Sequence, residues 1–298
     1  MTELRDKICF ITGAASGIGR ATAIAAAQAG AQLILSDIND APLQQIAQAI
    51  REAGGKVLAT QALDVSDYPA VKRFADDMLA TYGSVDIIMN VAGIAIWGEI
   101  TELRHEHWRQ VVDVNLMGPI HVMECLVPAM IEASRGGHIV NVSSAAGLFA
   151  LPLHAAYSAS KFGLRGASEV LRYDLRKHGI HVSVVCPGAV NTGLVKTLQV
   201  VGLDPSDPLV AKLRARFQKH AVTPEHAATA ILDGIRKNHY LIYTSADIRA
   251  LYWLKRKFAL PLEIGLSLVE RRIQVLESRQ QRHGKRNTAA PRAAHGRS

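Results

Sequence analysis

The sequence predicts an α/β fold: a doubly wound parallel sheet in a single domain that carries a C-terminal helical extension. Three observations predict it. Short apolar runs alternate with helical stretches almost from the first residue. Those runs are continuous in polarity rather than alternating, as strands buried on both faces are. The first of them passes through a glycine-rich corner straight into an Ala-rich helix, which is the opening of a βαβ unit.

Lys7–Thr12 reads as a strand, and Ile18–Ala29 as a helix of good formers stopped by Gly30. Gln32–Ser36 is a second strand, followed by a helix over Ala41–Ala53 that ends at Gly54-Gly55. Val57–Ala62 is a third strand, Ala70–Tyr82 a helix and Val85–Asn90 a fourth strand. Ile139–Val142, a helix over Ala156–His178 and Val182–Cys186 continue the alternation, and Glu225–Arg236 with Tyr240–Tyr243 closes it. This places one α/β domain over 1–248, a basic amphipathic extension over 249–281 and a tail disordered by composition over 282–298.

The corner after the first strand is Thr12-Gly13-Ala14-Ala15-Ser16-Gly17-Ile18-Gly19. Glycines there let backbone N–H groups approach a pyrophosphate, which then faces the positive end of the following helix. Asp37 stands at the end of the second strand, eighteen positions after Gly19. Its carboxylate can accept hydrogen bonds from the adenosine ribose hydroxyls and repels a 2′-phosphate. No Lys or Arg stands at Ala15, Ser16 or Ile38, so NAD is expected rather than NADP. Asp64-Val65 and Asn90-Val91-Ala92-Gly93 follow the third and fourth strands, at carboxyl ends where ligands bind in open α/β sheets.

These motifs, with Asn115, Ser143-Ser144, Tyr157-x-x-x-Lys161 and Pro187-Gly188 before Thr192, resemble the short-chain dehydrogenase/reductase family over about Lys7–Tyr243. Val91 departs from the Ala or second Asn common there. The resemblance implies a Rossmann-type sheet and hydride transfer between a nicotinamide cofactor and an alcohol or carbonyl carbon, with Tyr157 as general acid/base. Lys161, at i+4 on the same helix face, would reach the nicotinamide ribose and favour the phenolate. By the same resemblance Ser144 holds the substrate oxygen, Asn115 holds a water beside Lys161, Thr192 meets the nicotinamide amide, and the Val190 backbone fixes that ring. A homodimer or homotetramer is implied as well.

Ile94, Ala95, Ile96 and Trp97, the run Leu148, Phe149 and Ala150, and the segment after Thr192 are expected to choose the substrate. His154, three residues before Tyr157, is a further candidate contact. The apolar character of these residues predicts a lipophilic alcohol or ketone such as a steroid, retinoid or fatty-acyl compound. The long connection from Gly193 to Val222 is expected to hold a helix-bearing lid. The alternatives are an NADPH-dependent carbonyl or 3-oxoacyl reductase, and a non-catalytic dinucleotide sensor, for which an intact Ser144, Tyr157 and Lys161 set has no use.

The net charge of +8 belongs to the tail, since residues 249–298 hold twelve Lys or Arg against three Glu. Nucleic-acid binding is therefore not expected of the body, and basic composition alone does not make it so for the tail. Leu251–Phe258 interleaves aromatics with cations, and Leu262, Leu266, Val269, Ile273 and Leu276 form an apolar stripe after Pro261. That stripe suits packing on the body or a partner subunit, or peripheral membrane contact. Met1–Ile8 lacks the apolar core of a secretory signal, and no stretch is expected to span a bilayer. Three dispersed cysteines, Cys9, Cys125 and Cys186, suit small buried residues in a cytoplasmic, reducing setting. His105-Glu106-His107 is read as a solvated helix face rather than a metal site, because i and i+2 point apart on a helix.

Overall fold

A computed structural model describes residues 1–193, 199–202 and 221–258. Seven parallel strands form the central sheet: β1 (Ile8–Thr12), β2 (Gln32–Asp37), β3 (Lys56–Ala62), β4 (Ile87–Asn90), β6 (Gly137–Val142), β7 (Ile180–Cys186) and β9 (Leu241–Tyr243), in the order β3-β2-β1-β4-β6-β7-β9. The helices are α1 (Gly17–Gln28), α2 (Asp40–Glu52), α3 (Tyr68–Tyr82), α4 (His105–Val112), α5 (Gly118–Ala133), α6 (Ala155–Asp174), α7 (Pro224–Arg236) and α8 (Ala246–Lys257). Residues Met1–Tyr252 make one compact unit, and a second begins at Trp253.

Successive strand residues point to opposite faces of a sheet, and here both faces are covered. Cys9, Ile11, Leu33, Leu35, Ile87 and Met89 join one core with α1, α2 and α7. Their immediate neighbours Phe10, Ile34 and Ile88 join the other core with α3 and α5. That two-sided burial is why the strands read as unbroken apolar runs. β3, at the sheet edge, shows the converse, with Lys56 and Gln61 exposed.

Most predicted elements appear within one or two residues of the expected limits. The helix expected to reach His178 ends at Asp174, and a 3₁₀ turn covers Arg176–His178. Two features were not expected. A small parallel sheet pairs β5 (Ile96–Gly98) with β8 (Gln199–Val201), so Val200 stands opposite Trp97. A π-helical turn, Asp113–Met117, joins α4 to α5. The resulting helical run His105–Ala133 is long and apolar enough to cross a membrane by length and composition alone, with Glu124 interrupting its apolar stretch. In the fold its apolar face is spent on the core, where Val122, Met123, Leu126 and Met130 pack beneath the sheet.

Cys9 and Cys186 are buried as expected, whereas Cys125 is half-buried; all three are free. The apolar stripe Leu262–Leu276, the tail 282–298 and most of the 193–222 connection lie outside the described residues.

Candidate active site

The strand order reverses between β1 and β4, and a crevice opens at the carboxyl ends of strands at such a point. Thr12, the last residue of β1, bridges it: its Oγ1 accepts the backbone N–H groups of Val91 and Ala92 at 3.0 and 3.1 Å. The glycine corner and the Asn90–Gly93 turn are thereby fixed to each other. Gly13 has φ +67°, and a Cβ there would lie 2.8 Å from the Ala92 backbone. A Cβ on Gly19 would collide with the Gly13 carbonyl, so the start of α1 approaches β1 as only glycine permits. Ser16 makes no side-chain cap to α1, which leaves first-turn N–H groups of the helix for an anion.

Asp37 closes β2 and is 8% exposed. One carboxylate oxygen accepts the Ala15 N–H at 3.0 Å, and the other accepts the Asn39 N–H at 2.9 Å. The acidic group is thus locked beside the glycine corner. Asp64 turns its Oδ1 onto the Ser66 N–H and hydroxyl, and the Val65 carbonyl lies 2.9 Å from His121 Nδ1. Asn90 reaches across to β6, donating to Asn141 Oδ1 at 2.8 Å. Pro187 accepts the Ala145 N–H. Gly188 packs against Ile248, and Thr192 comes within 3.1 Å of where a Gly17 Cβ would stand. Val190 forms a parallel bridge with Val222. Ile18 is half-buried beside the α1 core.

The side chains expected to carry the chemistry converge from three elements. α6 carries Tyr157 and Lys161 one turn apart, both buried. Ser144 caps a 3₁₀ turn after β6, its Oγ accepting the Ala146 N–H at 3.1 Å, and its hydroxyl stands beside the Tyr157 phenol. Burial pushes that phenol above its ordinary range, and the Ser144 hydroxyl pulls it partly back. Lys161 Nζ lies 5.9 Å from the Tyr157 ring centre and donates to the Val142 carbonyl at 3.0 Å. Burial brings its ammonium down to about 8.

Asn115 sits in the π-helical turn, fully buried. Its Oδ1 accepts the Ile94 N–H and its Nδ2 donates to the Ile94 carbonyl, both at 2.9 Å. The widened turn aims the amide inward, and a Cβ on Gly93 would lie 3.0 Å from its Oδ1 and 3.4 Å from Lys161 Nζ. Sequence reasoning missed Ser160, whose Oγ donates to the Tyr157 carbonyl at 2.7 Å and accepts from Asn115. Its place at i+3 from Tyr157 was the available signal. Ser143, the neighbour of Ser144, instead donates to the Lys161 carbonyl at 2.9 Å and so braces α6.

Ile94, Ile96 and Trp97 gather with Tyr157 in one apolar cluster, joined by Val200 and Val201 of β8. His154 stacks on Trp97 with ring centres 4.0 Å apart. Phe149 is buried with its ring against Tyr252. His107 accepts the Arg104 N–H at the start of α4, and no metal-binding cluster is found among the described residues.

This geometry has close relatives. The family model for short chain dehydrogenases matches residues 7–200. The chain belongs to the short-chain dehydrogenase/reductase family. A member of that family from Burkholderia phymatum, solved in complex with NAD, superposes with TM-score 0.78 at 30% identity over 88% of this chain and 97% of that one. The 3-oxoacyl-[acyl-carrier-protein] reductase FabG of Thermotoga maritima is 37% identical over 196 residues, 66% of this chain and 79% of its own. "Probable oxidoreductase EphD" of Mycobacterium tuberculosis is 34% identical over 255 residues, 84% of this chain. The chain spans only 43% of that relative's length. The residues present fit a dinucleotide: an uncapped helix start, a corner with no space for Cβ atoms, and a fixed carboxylate at the end of β2.

Proposed function

We propose that the chain is an NAD-linked dehydrogenase of lipophilic secondary alcohols and the corresponding ketones. The observation that carries the substrate class is the apolar surround of the reactive phenol, in which Ala95, Ile96, Leu103, Val111, Ala146 and Ala156 pack with Tyr157. A charged substrate would give up hydration there without a partner. Asp37 supports NAD: a carboxylate held by Ala15 and Asn39 cannot swing away from a 2′-phosphate, and Ala15, Ser16 and Ile38 offer that phosphate no cation.

The bound dinucleotide supplies the hydride acceptor or donor. Tyr157 holds the proton at its phenol oxygen, taking it from the substrate hydroxyl in oxidation and returning it in reduction. Ser144, whose hydroxyl stands beside that phenol, holds the substrate oxygen and stabilises developing charge. Lys161 keeps a positive charge under the phenol and offsets what burial does to the phenolate. Ser160 and Asn115 link the Tyr157 backbone to Ile94 and hold the helix turn in place.

The likeness to the Thermotoga reductase favours a second reading, NADPH-linked reduction of 3-oxoacyl esters. Initial rates with both cofactors on a steroid alcohol, retinol, a long-chain alcohol, a small polyol and a 3-oxoacyl ester decide between them. NAD is expected to be preferred by about tenfold or more in kcat/KM, with lipophilic alcohols ahead of the polyol. A comparable preference for NADPH supports the reductase, and turnover of the polyol alone rejects the lipophilic reading. A homo-oligomer is part of the proposal, and sedimentation tests it.

A further inference from the structure

His154 is a polar side chain in the apolar surround of Tyr157 that the hydride chemistry does not use. Its ring lies 4.0 Å from that of Trp97 and meets the Tyr157 ring edge-on at 6.2 Å. The backbone fixes this place, because His154 is the residue from which α6 starts and its carbonyl accepts the Ser158 N–H at 2.6 Å. The imidazole therefore stands one helical turn from the phenol, on the helix that carries it.

The ring's hydrogen bond sets its chemistry. Nδ1 lies 2.6 Å from the Pro152 carbonyl, and a carbonyl oxygen only accepts, so Nδ1 carries the proton. A neutral imidazole then bears its lone pair on Nε2. Burial favours the neutral ring, and no group among the described residues hydrogen-bonds Nε2. An acceptor held in that way attracts a hydroxyl and repels a carbonyl or carboxylate oxygen, whose lone pairs would face its own.

We propose that His154 is a specificity-determining residue whose Nε2 accepts a hydrogen bond from a second hydroxyl of the substrate, close to the alcohol carbon that is oxidised. The preferred substrate is accordingly a lipophilic molecule bearing two neighbouring hydroxyls. Trp97 and the alkyl side chains around it take the hydrocarbon, and His154 reads the extra donor. This rests on the lipophilic-alcohol reading above. A monoalcohol leaves Nε2 without that partner in the bound state, a loss worth about tenfold in kcat/KM or more.

The test compares cyclooctanol with its vicinal diol in the wild-type enzyme, His154→Phe and His154→Gln. Phe preserves an aromatic ring against Trp97 and removes the acceptor, whereas Gln restores an acceptor oxygen without the ring. The wild type is expected to favour the diol by about tenfold in kcat/KM, His154→Phe to lose that preference, and His154→Gln to keep part of it. A wild type active on both alcohols without favouring the diol overturns the inference alone, whether or not either variant folds. So does a folded His154→Phe whose diol preference is intact, which would leave the histidine a packing partner of Trp97. A wild type that turns over neither alcohol overturns the lipophilic reading and this inference with it.

Discussion

Replacing Lys161 with methionine should abolish activity and yet make the cofactor-free protein more stable. Lys161 is 4% exposed, and burial lowers its ammonium from 10.5 to about 8. Between those values the unfolded chain binds more protons than the folded one, so stability rises with pH through that window and the burial penalty is fully present below it. A difference of that size corresponds to roughly 3 kcal/mol. Methionine, of similar length and apolar, escapes the penalty but loses the donor to the Val142 carbonyl, which offsets about 1 kcal/mol. The Lys161→Met protein should then be more stable by about 2 kcal/mol near pH 7, and that advantage should shrink by about the same amount by roughly pH 9.5. Urea melts of both proteins at the two pH values read this directly. Subtracting one protein from the other cancels every other titrating group the two share. A variant less stable than wild type near pH 7, or a gap indifferent to pH, would refute the argument that this ammonium is held against its solvation.

Ser144→Ala removes the hydroxyl that opposes burial at the phenol. The alkaline limb controlling alcohol oxidation should move to higher pH and kcat should fall by about a hundredfold, with dinucleotide binding retained. An unshifted pH–rate profile would count against that role. Gly19→Ala drives a methyl into the Gly13 carbonyl, so dinucleotide affinity should drop by at least roughly tenfold with a loss of stability of about 1–3 kcal/mol. Fluorescence titration and thermal melts measure both. Ile88→Ala, in the core on the α3 and α5 side and fully buried, should cost about 2–5 kcal/mol in a urea melt without moving the KM for NAD.

Much of the candidate site was legible because its residues are related by spacing along one element. Tyr157 and Lys161 share a helix face at i and i+4, and the glycines of the first corner follow β1 directly; a one-dimensional reading captures both. Ser160 was missed because a serine at i+3 from a tyrosine has no meaning until Asn115 arrives from another helix. The pairing of Trp97 with Val200 was missed for the same reason, since the two strands of that small sheet are a hundred residues apart in sequence. The run His105–Ala133 shows what composition leaves open, because apolar length does not say whether a face meets lipid or a sheet, and here Val122, Leu126 and Met130 meet the sheet.

The order of apolar runs and helices, the cofactor corner and the Tyr-Lys pair were determined by sequence alone, because each is a local pattern whose physics operates within a few residues. Only the tertiary structure decided that Ser160 meets Asn115, that Val200 stands opposite Trp97 and that the Asp37 carboxylate accepts the Ala15 N–H. Those contacts join segments that no periodicity relates, and they form only once burial on both faces of the sheet brings the strand ends to a common edge.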